Sequence, residues 1–269
     1  MRLALAQLRI ESGDVDGNVE RARAAVAEAA ADGADLVALP EVFNVGYFAF
    51  EGYARRAESV AGPTVSALAE SAREHGVGVL AGSIVEDLAD SRADGVDTPA
   101  GEGLANASVF LDRSGERRAV YRKHHLFGYG SAEQELLTPG EAVPTVEFGD
   151  HTVGVTTCYD LRFPSLCRDL VDAGATMVLV PSAWPYPRVE HWRLFPRTRA
   201  VENLLYVGAV NGVGTFEDAE LLGRSAVYDP WGTTLSSAGD EAALVTADVD
   251  ADRVVEVRSE FPALEDRRR

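Results

Sequence analysis

The chain has 269 residues, 46% of them hydrophobic and 25% charged, which is enough to enclose a large core and excludes a disordered tract. A formal net charge of −18 and a pI near 4.6 argue against nucleic acid as a partner, because phosphate binding needs a basic patch. No apolar run reaches the roughly 18 residues of a membrane span, and Met1 to Ile10 is too short and too broken by Arg and Gln for a secretory signal. A cytoplasmic protein without a membrane partner is therefore expected.

Taken in order, LALAQLRI (3–10) reads as a short strand and residues 18–30 as a helix, with Val19, Ala22, Val26 and Ala29 on one face. DLVALPE (35–41) reads as a buried strand ending in an acid. GPTVSALAESAREHG (62–76) has the marks of a helix, with Pro63 at its start and Gly76 just past its end. GVLAGSIVE (78–86) is the next strand, and the Asp-, Gly-, Ser- and Pro-rich stretch 90–103 reads as a solvated loop. Four β-like runs follow at short intervals: ANASVFLD, ERRAVYRKH, TVEFG and HTVGVTTC. Then come a helix (164–175), a strand (176–184), a longer helix over 189–203 and a strand (204–212). GRSAVYDPWGTTLSS and AALVTADVD read as a hairpin pair around a Pro-Trp-Gly turn. Strands alternating with helices and interrupted by consecutive strands predict a single α/β or α+β domain over residues 1–269, its sheets covered by helices.

Several residues stand out chemically. The basic residues are one lysine, Lys123, and 24 arginines. An acidic, lysine-poor surface predicts a halophilic protein, in whose high-salt surroundings screening weakens self-repulsion; the alternative is an ordinary acidic protein from an Arg-rich genome. A solvated cation at 123 would serve as arginine, so the retained amine points to a place where a compact point charge meets a small reacting group. Cys158 ends an apolar strand and precedes a helix; such a junction exposes a nucleophile on a rigid support, or else holds a buried structural thiol. Cys167 falls inside the following helix and reads as core. Glu41, closing its strand, is either a partly desolvated general base or a solvated loop acid. The adjacent His124 and His125 are expected on opposite faces of a strand. With His75, His151 and His191 they form no zinc-helix spacing, so a metal site is not expected, although a metal hydrolase using His124 and His191 is a formal alternative.

Together these residues resemble the nitrilase superfamily of carbon–nitrogen hydrolases. The resemblance lies in LPEVFNVGY (39–47), YRKHHLF (121–127), ELLTPG (135–140) and CYDLRFP (158–164). PSAWP, HWRLFPRTRAVENLLYV, GRSAVYDPWG and RSEFPALEDRR extend it over nearly the whole chain. It implies a four-layer α-β-β-α sandwich that assembles as a homodimer or larger homo-oligomer, with the 251–269 tail at a dimer interface. It also implies a catalytic set of Glu41, Lys123 and Cys158, with Glu133 as a second glutamate six residues before a Pro-Gly. The backbone N–H of Tyr159 would join Lys123 in holding an oxyanion, and no metal or organic cofactor is implied. CYDLRFP is similar to the omega-amidase and deaminated-glutathione amidase branch, which implies a small-molecule amide partner bearing a carboxylate. Arg162, or an arginine of the 188–199 segment, would bind that carboxylate; the alternative for Arg162 is an ion pair with Asp160 or Asp169. Another amidase of the superfamily, such as an N-carbamoyl amidohydrolase, and a non-catalytic binding or scaffold member remain the rival readings. The interval from Lys123 to Glu133 is shorter than in many relatives.

Overall fold

The computed structural model describes residues 1–217 and 219–268. In chain order its strands are β1 (Arg2–Gln7), β2 (Leu36–Ala38), β3 (Gly78–Asp87), β4 (Leu104–Leu111), β5 (Arg117–Arg122), β6 (Thr145–Phe148) and β7 (His151–Val155). There follow β8 (Met177–Ser182), β9 (Tyr206–Asn211), β10 (Val213–Phe216), β11 (Ala219–Leu222), β12 (Ala226–Tyr228), β13 (Thr234–Ser237) and β14 (Ala243–Asp248). Two six-stranded sheets result, ordered β14-β1-β2-β3-β4-β5 and β6-β7-β8-β9-β12-β13. They are built alike. In each, three parallel strands carry one antiparallel strand beside the first and two beside the third.

The apolar runs of the parallel strands are continuous because both of their faces are covered. On β1, Leu3 and Leu5 face the second sheet while Ala4 and Ala6 face the helices Val15–Ala31 and Pro63–His75. On β8, Met177 and Leu179 face the first sheet, and Val178 and Val180 pack on the helices Pro164–Asp172 and Val189–Asn203. Alternation with period two thus places each strand in two cores at once and yields the α-β-β-α sandwich. Among the described residues no helix is long and apolar enough to cross a membrane.

Some elements differ from the sequence reading. Leu88–Ala93 is a short helix, capped by Asp87, where a loop was expected to begin at Asp90. The terminal hairpin pair is divided between the sheets: β12 and β13 close the second, whereas β14 crosses to pair with β1 of the first. The β10–β11 ribbon was not foreseen, nor was the helix Ala251–Glu260, whose Val254 and Val257 are buried. His124 and His125 lie beyond the end of β5, so strand alternation does not apply to them; their rings stand 6.4 Å apart.

Close backbone approach shapes the segment after β2. The Ser83 N–H donates to the Pro40 carbonyl (3.2 Å), and the Ser83 hydroxyl accepts from the Val42 N–H (2.8 Å). A Cβ on the neighbouring Gly82 would stand 2.0 Å from the Pro40 oxygen and 2.3 Å from that of Leu39. Gly82→Ala is therefore expected to destabilise the protein by about 1–3 kcal/mol, the usual cost of overpacking. A urea midpoint unchanged from the native chain would show that the Leu39–Pro40 backbone yields freely.

Candidate active site

The parallel strands deliver their functional residues at their carboxyl ends. Glu41 lies three residues beyond β2 and Cys158 three residues beyond β7, so each sheet contributes one. Lys123 directly follows β5, and Glu133 opens the short helix Glu133–Leu136. The folding of the sandwich thus brings four residues far apart in the chain to one place.

At its centre is a wholly buried ion cluster. The Lys123 ammonium donates to Glu41 Oε1 at 2.8 Å and to both Glu133 oxygens at 2.9 Å, and all three side chains are sealed from solvent. Asn106 on β4 extends its amide Nδ2 to Glu41 Oε1 (2.9 Å) and Glu133 Oε1 (3.1 Å). The other Glu41 oxygen accepts from the Ala183 N–H at 2.9 Å. Glu133 Oε2 also accepts from the Tyr47 hydroxyl (3.1 Å) and the Phe127 N–H (2.6 Å). Every carboxylate oxygen is paired, which is what allows two acids and one amine to remain buried together.

Burial alone would drive the Lys123 ammonium toward neutrality, but the Glu133 and Glu41 carboxylates outweigh it and hold its pKa well above the usual lysine range. Burial raises the pKa of Glu41; Lys123 opposes that rise, and the like charge of Glu133 adds to it. The Cys158 thiol is pushed well up by burial and by the Glu41 carboxylate, with Lys123 opposing. The resting state therefore pairs a protonated thiol with a charged cluster, with Glu41 the charge that raises the thiol most. Cys167, buried by the packing of its helix, is pushed up to about 12.

Cys158 itself has a φ of +48°, left-handed backbone that a side-chain-bearing residue adopts only when its surroundings impose it. It begins the short turn Cys158–Arg162, so the Tyr159 N–H is one of the leading amides with no acceptor inside the helix. The thiol and Tyr159 line a cavity of about 220 Å³ walled by Tyr47, Phe127 and Trp184, with Arg162 and Arg188 also on its surface.

Arg162 makes no ion pair with Asp160 or Asp169. Asp160 is committed to Tyr121, His125 and the Thr157 N–H. The Arg162 guanidinium instead lies 5.1 Å from the Phe195 ring centroid, 5.6 Å from that of Trp184 and 5.7 Å from that of Tyr159, and it bonds His191 Nδ1 at 3.1 Å. Of the 188–199 arginines, only Arg188 reaches the cavity; its guanidinium sits 5.6 Å from the Phe127 ring centroid. Arg199 is buried against the Leu161 carbonyl and Glu202, and Arg197 bonds the Gly232 carbonyl. His124 bonds the Tyr121 hydroxyl, and no three His, Cys, Asp or Glu side chains among the described residues form a metal-ligand group.

The family model for carbon–nitrogen hydrolases matches residues 2–259. The chain belongs to that family. The hydrolase is 35% identical to a 2-oxoglutaramate amidase of Paenarthrobacter nicotinovorans, covering 87% of this chain and 79% of that one. It is 34% identical to the omega-amidase NIT2 of Homo sapiens, covering 99% and 95% respectively. Among solved structures, a superfamily member from Xanthomonas campestris with an arsenic adduct in its active site superposes with a TM-score of 0.87 at 30% identity, covering 100% of this chain and 97% of that one. An amidase from Nesterenkonia sp. AN1, described with acrylamide added to its active-site cysteine, gives 0.81 at 28% identity, covering 98% of this chain and 99% of that one.

Removing Lys123 strands two buried carboxylates. Lys123→Met is expected to cost about 3–5 kcal/mol at neutral pH, as for other broken buried pairs. Without the ammonium, the pKa of Glu41 rises further above its unfolded value. Its contribution is then restored as pH falls below the unfolded pKa and lost as pH rises through the folded one. Urea titrations at neutral and mildly acidic pH check this: the deficit relative to the native chain should shrink on acidification, and a pH-independent deficit contradicts it.

Proposed function

We propose that this hydrolase is a cysteine-dependent amidase that releases ammonia from small aliphatic amides bearing a carboxylate. The observation that carries the reading is a thiol at the cavity wall, on a left-handed turn, under the influence of a carboxylate that itself holds a buried ammonium. That arrangement supplies a nucleophile, a base and an oxyanion partner around one reacting carbon.

In the proposed cycle Cys158 Sγ attacks the amide carbonyl carbon while Glu41 takes the thiol proton. The carbonyl oxygen becomes an oxyanion between the Lys123 ammonium and the Tyr159 N–H, preorganised donors of the kind worth roughly 2.7–4 kcal/mol each. Collapse breaks the C–N bond, and Glu41 returns the proton to the departing nitrogen, giving ammonia and a thioester. Glu41 then deprotonates a water that attacks the thioester carbon; the carboxylic acid leaves and the proton returns to sulfur. Glu133 keeps Lys123 charged and oriented throughout.

Arg162 and Arg188 support the substrate class. Both lie at the cavity, and neither pairs with a carboxylate among the described residues, so their charge is open to an anionic end group. The relatives named for 2-oxoglutaramate and omega-amide hydrolysis agree with such a substrate.

Cys158→Ala should abolish ammonia release from succinamate in a folded protein; retained release would remove Cys158 from the chemistry. Lys123→Arg keeps the charge but not the compact geometry, and should lower kcat about 10²-fold or more, the scale of losing one oxyanion donor. Arg162→Gln should raise the KM for succinamate about tenfold, a charged hydrogen bond's worth, and leave that for uncharged butyramide within about twofold. Equal effects on the two amides would count against carboxylate binding by Arg162.

A further inference from the structure

The catalytic set draws Lys123 from the first sheet and Cys158 from the second, so something must hold the two segments at a fixed separation. One buried carboxylate touches both. Asp160, two residues after the nucleophile, is 1% exposed; its Oδ2 is shared between the two sides and its Oδ1 is held by the lysine side.

On the cysteine side, Asp160 Oδ2 accepts from the Thr157 N–H at 3.0 Å, and the Asp160 N–H donates to the Thr157 carbonyl at 3.0 Å. The Thr157 side chain caps the Asp160 N–H in return, a reciprocal box around the residue with φ +48°. On the lysine side, the Tyr121 hydroxyl donates to Oδ2 at 2.6 Å, and the His125 N–H and Nδ1 both reach Oδ1 at 2.9 Å. Tyr121 and His125 stand two residues before and two residues after Lys123. The His125 ring also lies flat on Phe163, centroids 3.7 Å apart and planes 10° from parallel, which binds the far end of the cysteine turn to the same segment.

We infer that Asp160 is a positioning residue: its carboxylate sets the distance between Lys123 and Cys158 by hydrogen-bonding the backbone before the nucleophile and the residues on both sides of the lysine. This rests on Cys158 being the nucleophile. An ionised carboxylate suits the task because it accepts only, and donors surround it from both sheets. An asparagine of the same shape turns its NH₂ either toward the Thr157 N–H and Tyr121 or toward the His125 N–H. In both orientations a backbone donor faces another donor, so one side of the link fails. A displacement of about 1 Å in such a site can cost about 10²-fold in rate.

The test compares native protein, Asp160→Asn and Tyr121→Phe by succinamate kinetics and by iodoacetamide labelling followed by peptide mass mapping. Asp160→Asn should lower kcat about 10²-fold with KM within about threefold, and should slow alkylation of Cys158 while Cys167 stays unlabelled. Cys167 is the internal control: its labelling at a rate matching the loss of activity would mean general loosening of the fold and would overturn the inference. Tyr121→Phe removes one donor on the lysine side and leaves the cysteine turn capped. It should lower kcat about tenfold with Cys158 alkylation unchanged, the scale of one lost charged hydrogen bond. A kcat within about twofold of native in either variant also overturns the inference. If instead Cys158→Ala keeps its activity, the nucleophile assignment itself falls; a Cys158-dependent enzyme indifferent to Asp160→Asn sinks only the positioning role.

Discussion

The structure depends on one buried ammonium held between two carboxylates. Desolvating Lys123, Glu41 and Glu133 together is costly, and only complete pairing makes it tolerable. Lys123 meets three carboxylate oxygens, Asn106 bridges the two acids, and backbone N–H groups of Ala183 and Phe127 take the remaining capacity. These partners come from both sheets and from the loop after Lys123, so the cluster is satisfied only when the whole sandwich is assembled. Arginine in that space would bring a wider planar fork and more donors than the oxygens present can accept.

The likeness of the two sheets explains why the site lies where it does. In each, the parallel trio ends on the same side, and side chains past the carboxyl ends of parallel strands are free of ladder bonding and open to a crevice. Glu41 and Cys158 occupy corresponding offsets past β2 and β7, and facing the sheets together brings the carboxylate within electrostatic reach of the thiol. The left-handed backbone at Cys158 then turns its thiol toward the cavity. That conformation is costly, and the capping box at Thr157 and Asp160 is local compensation for it.

How much of this was legible without coordinates follows from which physics is local. Glu41, Lys123, Glu133 and Cys158 could be singled out because each sits at the end of an apolar run or in a distinctive motif, and the lone lysine was conspicuous among arginines. The strands of both sheets were readable from their apolar runs, the helix Val15–Ala31 from the spacing of its apolar residues and the helix Pro63–His75 from the Pro and Gly at its ends. Asn106 was not readable: within ANASVFLD only sheet pairing determines that its amide meets two acids. The crossing of β14 to the first sheet is likewise a long-range pairing with β1 that no turn signal encodes. The alternative reading of Arg162 as an ion-paired residue failed for a related reason. Asp160 is near it in sequence, but the capping box turns that carboxylate inward to Tyr121 and His125 and leaves the guanidinium to aromatic faces.

Charge bookkeeping connects the resting site to the proposed chemistry. With the thiol protonated, the cluster of two carboxylates and one ammonium carries one net negative charge. When Glu41 takes the thiol proton and the tetrahedral intermediate forms, Glu41 becomes neutral and the negative charge reappears on the oxyanion. The total is unchanged; the charge has moved from one neighbour of Lys123 to another. A closed, poorly hydrated site can accommodate such a shift without drawing in an ion or reorganising water, because the ammonium that stabilises the start also stabilises the end. A resting thiolate would instead add a second net negative charge to the buried cluster, which is why burial and Glu41 together hold Cys158 protonated until a carbonyl is present to accept its electrons.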